Sequence, residues 1–455
     1  MAGHHALRVL DEQPLKGFHL RAMITTGMGV FTDGYDLSSI GVVLPLVLAS
    51  FGVAHVSSLD SGMLAGSALV GAAFGAVLFG FLAQSGRKTF YGVDVTLMAI
   101  AAIAQVFAGD LWTLIAIRFV LGIGVGADYV LSPTIMAEHA NQADRGKTLG
   151  IGFGVMWWLG AVTAGLLLLL LNALHVPGGL AWRIVLAAGA IPALAVIYLR
   201  RRMPETARYL LRLAGDHNAA ADVVTEVSGR TNVAMPDADR REFWAVLKQY
   251  RGPILASALL WMLFDIVIYA GILFGPSLIA QGLGVTPAVF SVLMSLGFVI
   301  PTALFVSLFL LDRVGRKPVQ TIGMLLSAVM LAIFAAFHNA LTAAPVLGLI
   351  VYGLYNVFIT FPSMVSGAAI LGVELTPTRI RSVAQSISVV GGRIGASISA
   401  FLFPVLFGTI GEIGTISLLA VTAIAGGILT MFLIPETSGR SLEAINKEDL
   451  GAAPA

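Results

Sequence analysis

The chain has no cysteine. Disulfides, thiolate metal sites and cysteine nucleophiles are therefore excluded, and the redox character of its compartment stays open. Charge is nearly as scarce. Asp, Glu, Lys and Arg make up 11% of the residues, about half the share of a soluble globular protein. A formal net charge of +2 gives no electrostatic footprint for nucleic acid, and no nucleic-acid partner is expected. No phosphate-cradling loop, metal-ligand cluster or activated nucleophile is visible, so neither an enzyme nor a bound metal or cofactor is expected. No cleavable leader is expected either: the first apolar run starts near Phe18 and is longer than a signal-peptide core.

What fills the chain instead is hydrocarbon, with 57% of its 455 residues hydrophobic. Apolar runs near 20 residues, the length that crosses a bilayer as a helix, recur over 20–49, 60–83, 89–109, 111–137, 148–173 and 181–199. They recur again over 253–282, 287–311, 319–337, 344–373, 382–408 and 413–434. The reading is an all-α membrane protein of twelve transmembrane helices. Its one long polar interval divides it into an N-terminal bundle (1–199), a cytoplasmic linker (200–252), a C-terminal bundle (253–434) and a cytoplasmic tail (435–455). Basic residues favour cytoplasmic loops. With both termini inside, every Lys and Arg except Arg118, Arg183 and Arg393 falls on that side. A monomer in the inner (plasma) membrane, surrounded by lipid, is expected.

The two bundles echo one another. "SGRK" (Ser85–Lys88) follows helix 2 and "DRVGRK" (Asp312–Lys317) follows helix 8. Helices 4 and 10 end in "AEHANQADRG" and "GVELTPTRIRS", each an acid followed by arginine. "PETARYL" and "PETSGRSL" follow helices 6 and 12. Three motifs in register point to two six-helix halves related by a pseudo-two-fold axis, the plan on which secondary transporters alternate access around a central site. Arg87, Lys88, Asp312, Arg316, Lys317, Glu138, Arg145, Glu374 and Arg379 are the candidates for gating loops. Glu138 is expected to pair with Arg145, and Glu374 with Arg379 or Arg381.

Ionisable side chains within the spans are few, and such residues are functional candidates by default. Asp33 and Asp36 lie three apart on one face of helix 1. Asp33 sits about 18 Å along the helix from Arg21, near mid-bilayer. Two carboxyls in a poorly solvated place suit a group that loads and releases a proton. Arg118 and Asp128 share helix 4 but are about 15 Å apart, so each needs a partner elsewhere, helix 1 being the natural supplier. Glycines at 122, 124 and 126 read as packing positions. Asp94 lies six residues past Lys88, shallow enough to snorkel or cap. Trp261, Asp265 and Tyr269 are spaced four and four, a stripe of indole, carboxyl and phenol suited to a cavity wall.

With "GRK" in both halves, "RFVLGIGVGAD" on helix 4 and two "PET" elements, the chain resembles the major facilitator superfamily, in its sugar-porter-like branch. One departure is that Gln84 stands near the place of an aspartate before the first Gly-Arg-Lys, so the charge lock is expected to be asymmetric. Through "TDGYD", Asp94, "GADYVLS" and the Trp261–Asp265–Tyr269 stripe it is similar to phosphate–proton symporters. That resemblance implies a proton-coupled symporter importing a small anion, with Asp33, Asp36, Asp94, Asp128 and Arg118 in proton coupling. It also implies Tyr129, Trp157, Trp261, a protonated Asp265, Tyr269 and Ser363 at the substrate. Helix 5 departs from the pattern with "VMWWLG" in place of a glutamine, and helix 10 offers Ser363 or Ser366 where an asparagine is usual. An aromatic or other organic acid, or a sugar, is therefore the rival substrate. A non-transporting sensor is disfavoured by the short linker and tail, and a channel by the absence of a filter.

Overall fold

The computed structural model describes residues 6–53, 59–231 and 233–448. Among them twelve helices are long and apolar enough to cross a membrane. The first half contains α1 (Gly17–Ser50), α2 (Leu59–Ser85), α3 (Lys88–Phe107), α4 (Leu111–His139), α5 (Arg145–Ala173) and α6 (Gly178–Arg201). The second contains α7 (Arg251–Gly282), α8 (Pro287–Leu310), α9 (Arg316–Ala336), α10 (Pro345–Glu374), α11 (Arg381–Thr409) and α12 (Gly411–Leu433). Every expected span has its helix, most extended by a few residues. The extension matters at α6, which runs to Arg201 and takes Arg200 out of the linker.

Lipid gives no hydrophobic drive between helices, so association rests on close contact of small residues. A Cβ at Gly122 of α4 would lie 2.0 Å from the Ala68 carbonyl oxygen of α2, and one at Gly391 of α11 would lie 2.4 Å from that of Ala258 on α7. The same device thus locks α2 to α4 and α7 to α11, and the glycines of "GIGVG" are packing residues. Outward faces carry exposed Phe74, Ile100, Ile191 and Phe432, as lipid contact requires.

The halves meet at both ends of the barrel. Near the terminus-bearing face Gly80 abuts Ser386, and Gly150 abuts Ser307; toward the opposite face Gly41 meets the Ile272 carbonyl and Gly62 meets that of Ala400. Space between them is therefore enclosed. Short helices cover the terminus-bearing face. Ala6–Asp11 packs Ala6, Leu7 and Leu10 against Ala220 and Val224 of His217–Ser228, tying the N-terminus to the linker.

Candidate functional site

Three irregularities build the centre. Gly150–Val155 forms a wide π turn in α5, and Ser363–Gly367 another in α10 just after Pro362. Such turns shift the register of the side chains that follow and recur at functional sites. Ala369, with φ of 62°, then breaks α10 at a left-handed residue that a Cβ disfavours, and the helix resumes over Ile370–Glu374. The third is Gly392, whose missing side chain leaves room for the Trp261 ring, 2.7 Å from where a Cβ would stand.

These features frame a buried cavity of about 30 Å³. Tyr129, Trp157, Trp261, Asp265, Tyr269 and Ser363, the residues expected at a substrate, all line it, together with Trp158 and Arg393. Arg393 organises the polar side. Its Nη2 donates to Asp265 Oδ2 at 2.8 Å and its Nη1 to the Tyr269 hydroxyl at 2.9 Å. Its guanidinium lies 4.7 Å from the Tyr129 ring centroid, so one cation of the second half touches an aromatic of the first. Trp158 Nε1 donates to Ser363 Oγ at 3.3 Å. Among the described residues no acceptor meets Trp157 Nε1 or Arg393 Nε. The cavity thus presents buried donors around one cation, chemistry suited to a small anion. Asp265, expected as a free donor, here accepts from Arg393.

A second cluster lies between α1, α3, α4 and α6. Arg200 donates to both carboxylate oxygens of Asp128, at 2.8 and 2.9 Å, and to Asp94. Tyr91 lies under its guanidinium at 4.2 Å, and Ser132 donates to Asp128. Asp33 follows one turn after Gly29, whose backbone abuts Arg200 and Asp128, and among the described residues neither of its oxygens meets a donor within hydrogen-bond distance. Gly29, one turn before Asp33, lets the cation in: a Cβ there would lie 1.5 Å from an Arg200 terminal nitrogen. Three carboxyls therefore face one guanidinium, an excess of negative charge that a bound proton relieves.

Two expectations are corrected here. Asp94 does not snorkel: it is fully buried on Arg200, and of the two expected roles it takes the capping one, accepting from Gly92 N–H at 2.7 Å. Asp128 takes its partner from α6, not from α1. Arg200 falls within the expected linker, 200–252, yet Ala190, Ala193, Val196 and Arg200 make one buried stripe of α6. The helical period continues through the arginine, and that was the signal to follow. Arg118 and Asp36 meet separately, toward the opposite face, without an ion pair. Arg118 donates to Gln105 Oε1 at 3.2 Å and to the Asp36 backbone carbonyl at 3.4 Å, while the Asp36 carboxyl packs against Gly189.

At the terminus-bearing rim both glutamates pair with arginines, but not with the arginines expected. Glu138 holds Arg87 and, from the other half, Arg381, both at 2.9 Å. Glu374 holds Arg316 at 2.8 Å and, from the other half, Arg145 at 2.7 Å. Neither Arg145 on Glu138 nor Arg379 or Arg381 on Glu374 occurs. Chain-neighbouring charges point away from each other around the helix end, and the axis brings the matching ones together. Arg379 is half-buried and, among the described residues, forms no ion pair. Thr206 and Thr437, from the two "PET" elements, donate to Glu138 and Glu374. The "PET" glutamates cap the "GRK" turns: Glu205 accepts from Lys88 N–H at 3.0 Å, and Glu436 from Arg316 and Lys317 N–H at 3.0 and 3.1 Å. Lys88 and Lys317 thus contribute their backbones to the rim.

The asymmetry at Gln84 is visible too. Asp312 accepts Gly146 and Lys147 N–H of the other half at 2.9 and 2.7 Å, whereas Gln84 donates to Ser382 Oγ at 2.6 Å. Over the rim, Arg208 joins Asp11 and Glu443, each at 2.8 Å. Burial pushes Asp11 up to about 6. Burial would raise Glu443 as well, but the Arg208 guanidinium overrides it and holds that carboxyl at about 2.

With this geometry in hand, comparison with known proteins is specific. The family described as "Sugar (and other) transporter" matches residues 22–448. A relative named probable inorganic phosphate transporter 1-6, from Arabidopsis thaliana, is 30% identical and aligns 97% of this chain with 96% of its own length. Inorganic phosphate transporter 1-11 of Oryza sativa subsp. japonica is also 30% identical, over 97% of this chain and 90% of its own. Among solved structures, the major facilitator superfamily proton:xylose symporter XylE, bound to 6-bromo-6-deoxy-D-glucose, superposes with a TM-score of 0.78 at 19% identity. That superposition covers 94% of this chain and 98% of XylE.

Proposed function

The chain belongs to the sugar (and other) transporter family of the major facilitator superfamily, and from that premise we propose that it is a proton-coupled symporter of inorganic phosphate working by alternating access. The observation that carries the reading is a pair of consecutive residues. Asp128 faces the acid cluster on Arg200, and Tyr129 faces the cavity on Arg393. One turn of α4 thereby joins a proton site to an anion site. The names of the full-length relatives support phosphate, and the compact cavity favours a small tetrahedral anion over an aromatic acid or a sugar.

In this reading Asp33 takes up the proton beside Asp128, with Asp94 and Arg200 balancing charge as it comes and goes. Asp36 and Arg118 fix α1 against α4 on the side from which the proton arrives. Phosphate enters against Arg393, Tyr129, Trp157 and Tyr269, and competes with Asp265 for the guanidinium. A proton on Asp265 restores neutrality and turns that carboxyl into a donor toward the anion. Trp261 and Ser363 shape the remaining walls. The shared glutamates Glu138 and Glu374 gate the terminus-bearing face, assigned here to the cytoplasm of a plasma-membrane protein, and one chain suffices as the transport unit. The two bundles, 1–199 and 253–434, rock about the cavity while the linker and tail ride with the rim.

The test is phosphate uptake by vesicles containing purified protein under an imposed pH difference, alkaline inside. Accumulation above the equilibrium level, lost on adding a protonophore, is expected. Accumulation that survives the protonophore would remove proton coupling. Strong competition by a sugar or an aromatic acid, with none by unlabelled phosphate, would remove the substrate.

A further inference from the structure

A groove of about 850 Å³ lies apart from both sites, on the outer flank of the first half at the terminus-bearing end. Its two cations are helix termini: Lys88 is the first residue of α3 and Arg201 the last of α6. Both side chains are exposed, and among the described residues no acid forms an ion pair with either. One carboxylate faces them, Glu205, already engaged by the backbone N–H groups of Lys88 and Thr206. Deeper along the same groove run Val93, Leu97 and Ile100, with Val93 52% and Ile100 62% exposed. Ile100 lies about 18 Å further into the membrane than Lys88. The groove therefore begins with unpaired positive charge at headgroup level and continues as an apolar track at acyl-chain depth.

We propose that this groove binds an anionic phospholipid, its phosphate diester against Lys88 and Arg201 and one acyl chain along Val93, Leu97 and Ile100. Charge complementarity selects the headgroup, since basic recesses between helices on one leaflet suit acidic lipids, and the track gives the chain a place no soluble anion needs. The back wall connects the lipid to the interior. Tyr91 lines the groove and carries Arg200 on its ring at 4.2 Å, and Arg201 is the next residue of the same helix. A bound lipid braces the ends of α3 and α6 that hold the acid cluster.

Native mass spectrometry of the full chain in detergent, with phosphatidylglycerol and phosphatidylcholine of matched chains, reads this without reference to the transported solute. Wild-type protein should retain phosphatidylglycerol about 10-fold more than phosphatidylcholine, as two cations near an acidic headgroup predict. The double variant Lys88→Gln/Arg201→Gln should lose that preference while melting as the wild type does. Leu97→Trp, which fills the track and leaves both charges, should weaken retention of either lipid. Equal retention of the two lipids by the wild type would overturn the proposal. So would an unchanged preference in the double variant, or full displacement of the lipid by glycerol 3-phosphate.

Discussion

Glu138 and Glu374 occupy equivalent places in the two halves, and their surroundings match. Each holds an arginine of its own half, an arginine of the other and a threonine hydroxyl. Deeper in, the equivalence ends. The first half gathers Asp33, Asp94 and Asp128 around Arg200, whereas the second sets one acid, Asp265, against one arginine, Arg393. Symmetry is kept where the halves must close on each other and given up where each needs its own chemistry. An interior built twice from one plan can then carry two different passengers.

The sharpest way to break this comparison is at mid-depth. Asp33→Asn should reduce proton-driven accumulation to the level of empty vesicles while phosphate exchange across the same vesicles persists; equal loss of both would make Asp33 structural. Next come the paired rim substitutions Glu138→Gln and Glu374→Gln. Each strands buried arginines, a loss of about 3–5 kcal/mol for a buried pair stripped of one partner, and the halves' equivalence predicts similar falls in melting temperature. A fall for one alone would deny the symmetry. Because the chain lacks cysteine, a single cysteine placed on the cavity wall can report whether that face has opened.

In the second half, Arg393→Gln should weaken phosphate binding about 10- to 100-fold, the size of a charge-assisted hydrogen bond, with proton-linked turnover of the bound fraction retained. Gln84→Asp should give the first half the acid that Asp312 gives the second and favour the closed rim by about 0.5–1 kcal/mol; slower modification of the cavity cysteine would report it. The smallest effect concerns Asp11. Its raised value means the folded chain binds that proton more tightly than the unfolded chain. The resulting stability is complete below 3.8 and is lost as pH rises through about 6. Glu443, held at about 2, contributes above 4.5 and loses its contribution only as pH falls toward 2. Between pH 5 and 7 the part of the melting-temperature slope that Asp11 contributes should therefore be a slight decline with rising pH, and Asp11→Asn should remove that part.

The twelve spans, the repeat and the cavity residues were legible because hydropathy, motif register and four-residue spacing are local properties of the chain. Pairings were not. Arg145 lies nearest Glu138 in sequence, yet it reaches Glu374 because the two-fold axis, invisible to local spacing, sets the neighbours. Arg200 was hidden by its company: two further arginines follow it, and composition alone reads all three as solvated. Its place on the buried stripe of α6 is a periodic signal that charge counting overrides. Arg393 stood out as a charge within a span, but only the packed structure gives it Asp265 and Tyr269.

Because Glu138 and Glu374 each bind arginines of both halves at once, neither half can release its partner gradually. Arg145 and Arg381 lose their cross-half glutamates in the same event, while Arg87 and Arg316 keep theirs, and a half-parted state would leave both crossing contacts stretched at once. The doorway at the terminus-bearing face should therefore have two resting positions and no stable point between them, so that turnover proceeds in discrete clicks and leaks of solute through an ajar protein are suppressed.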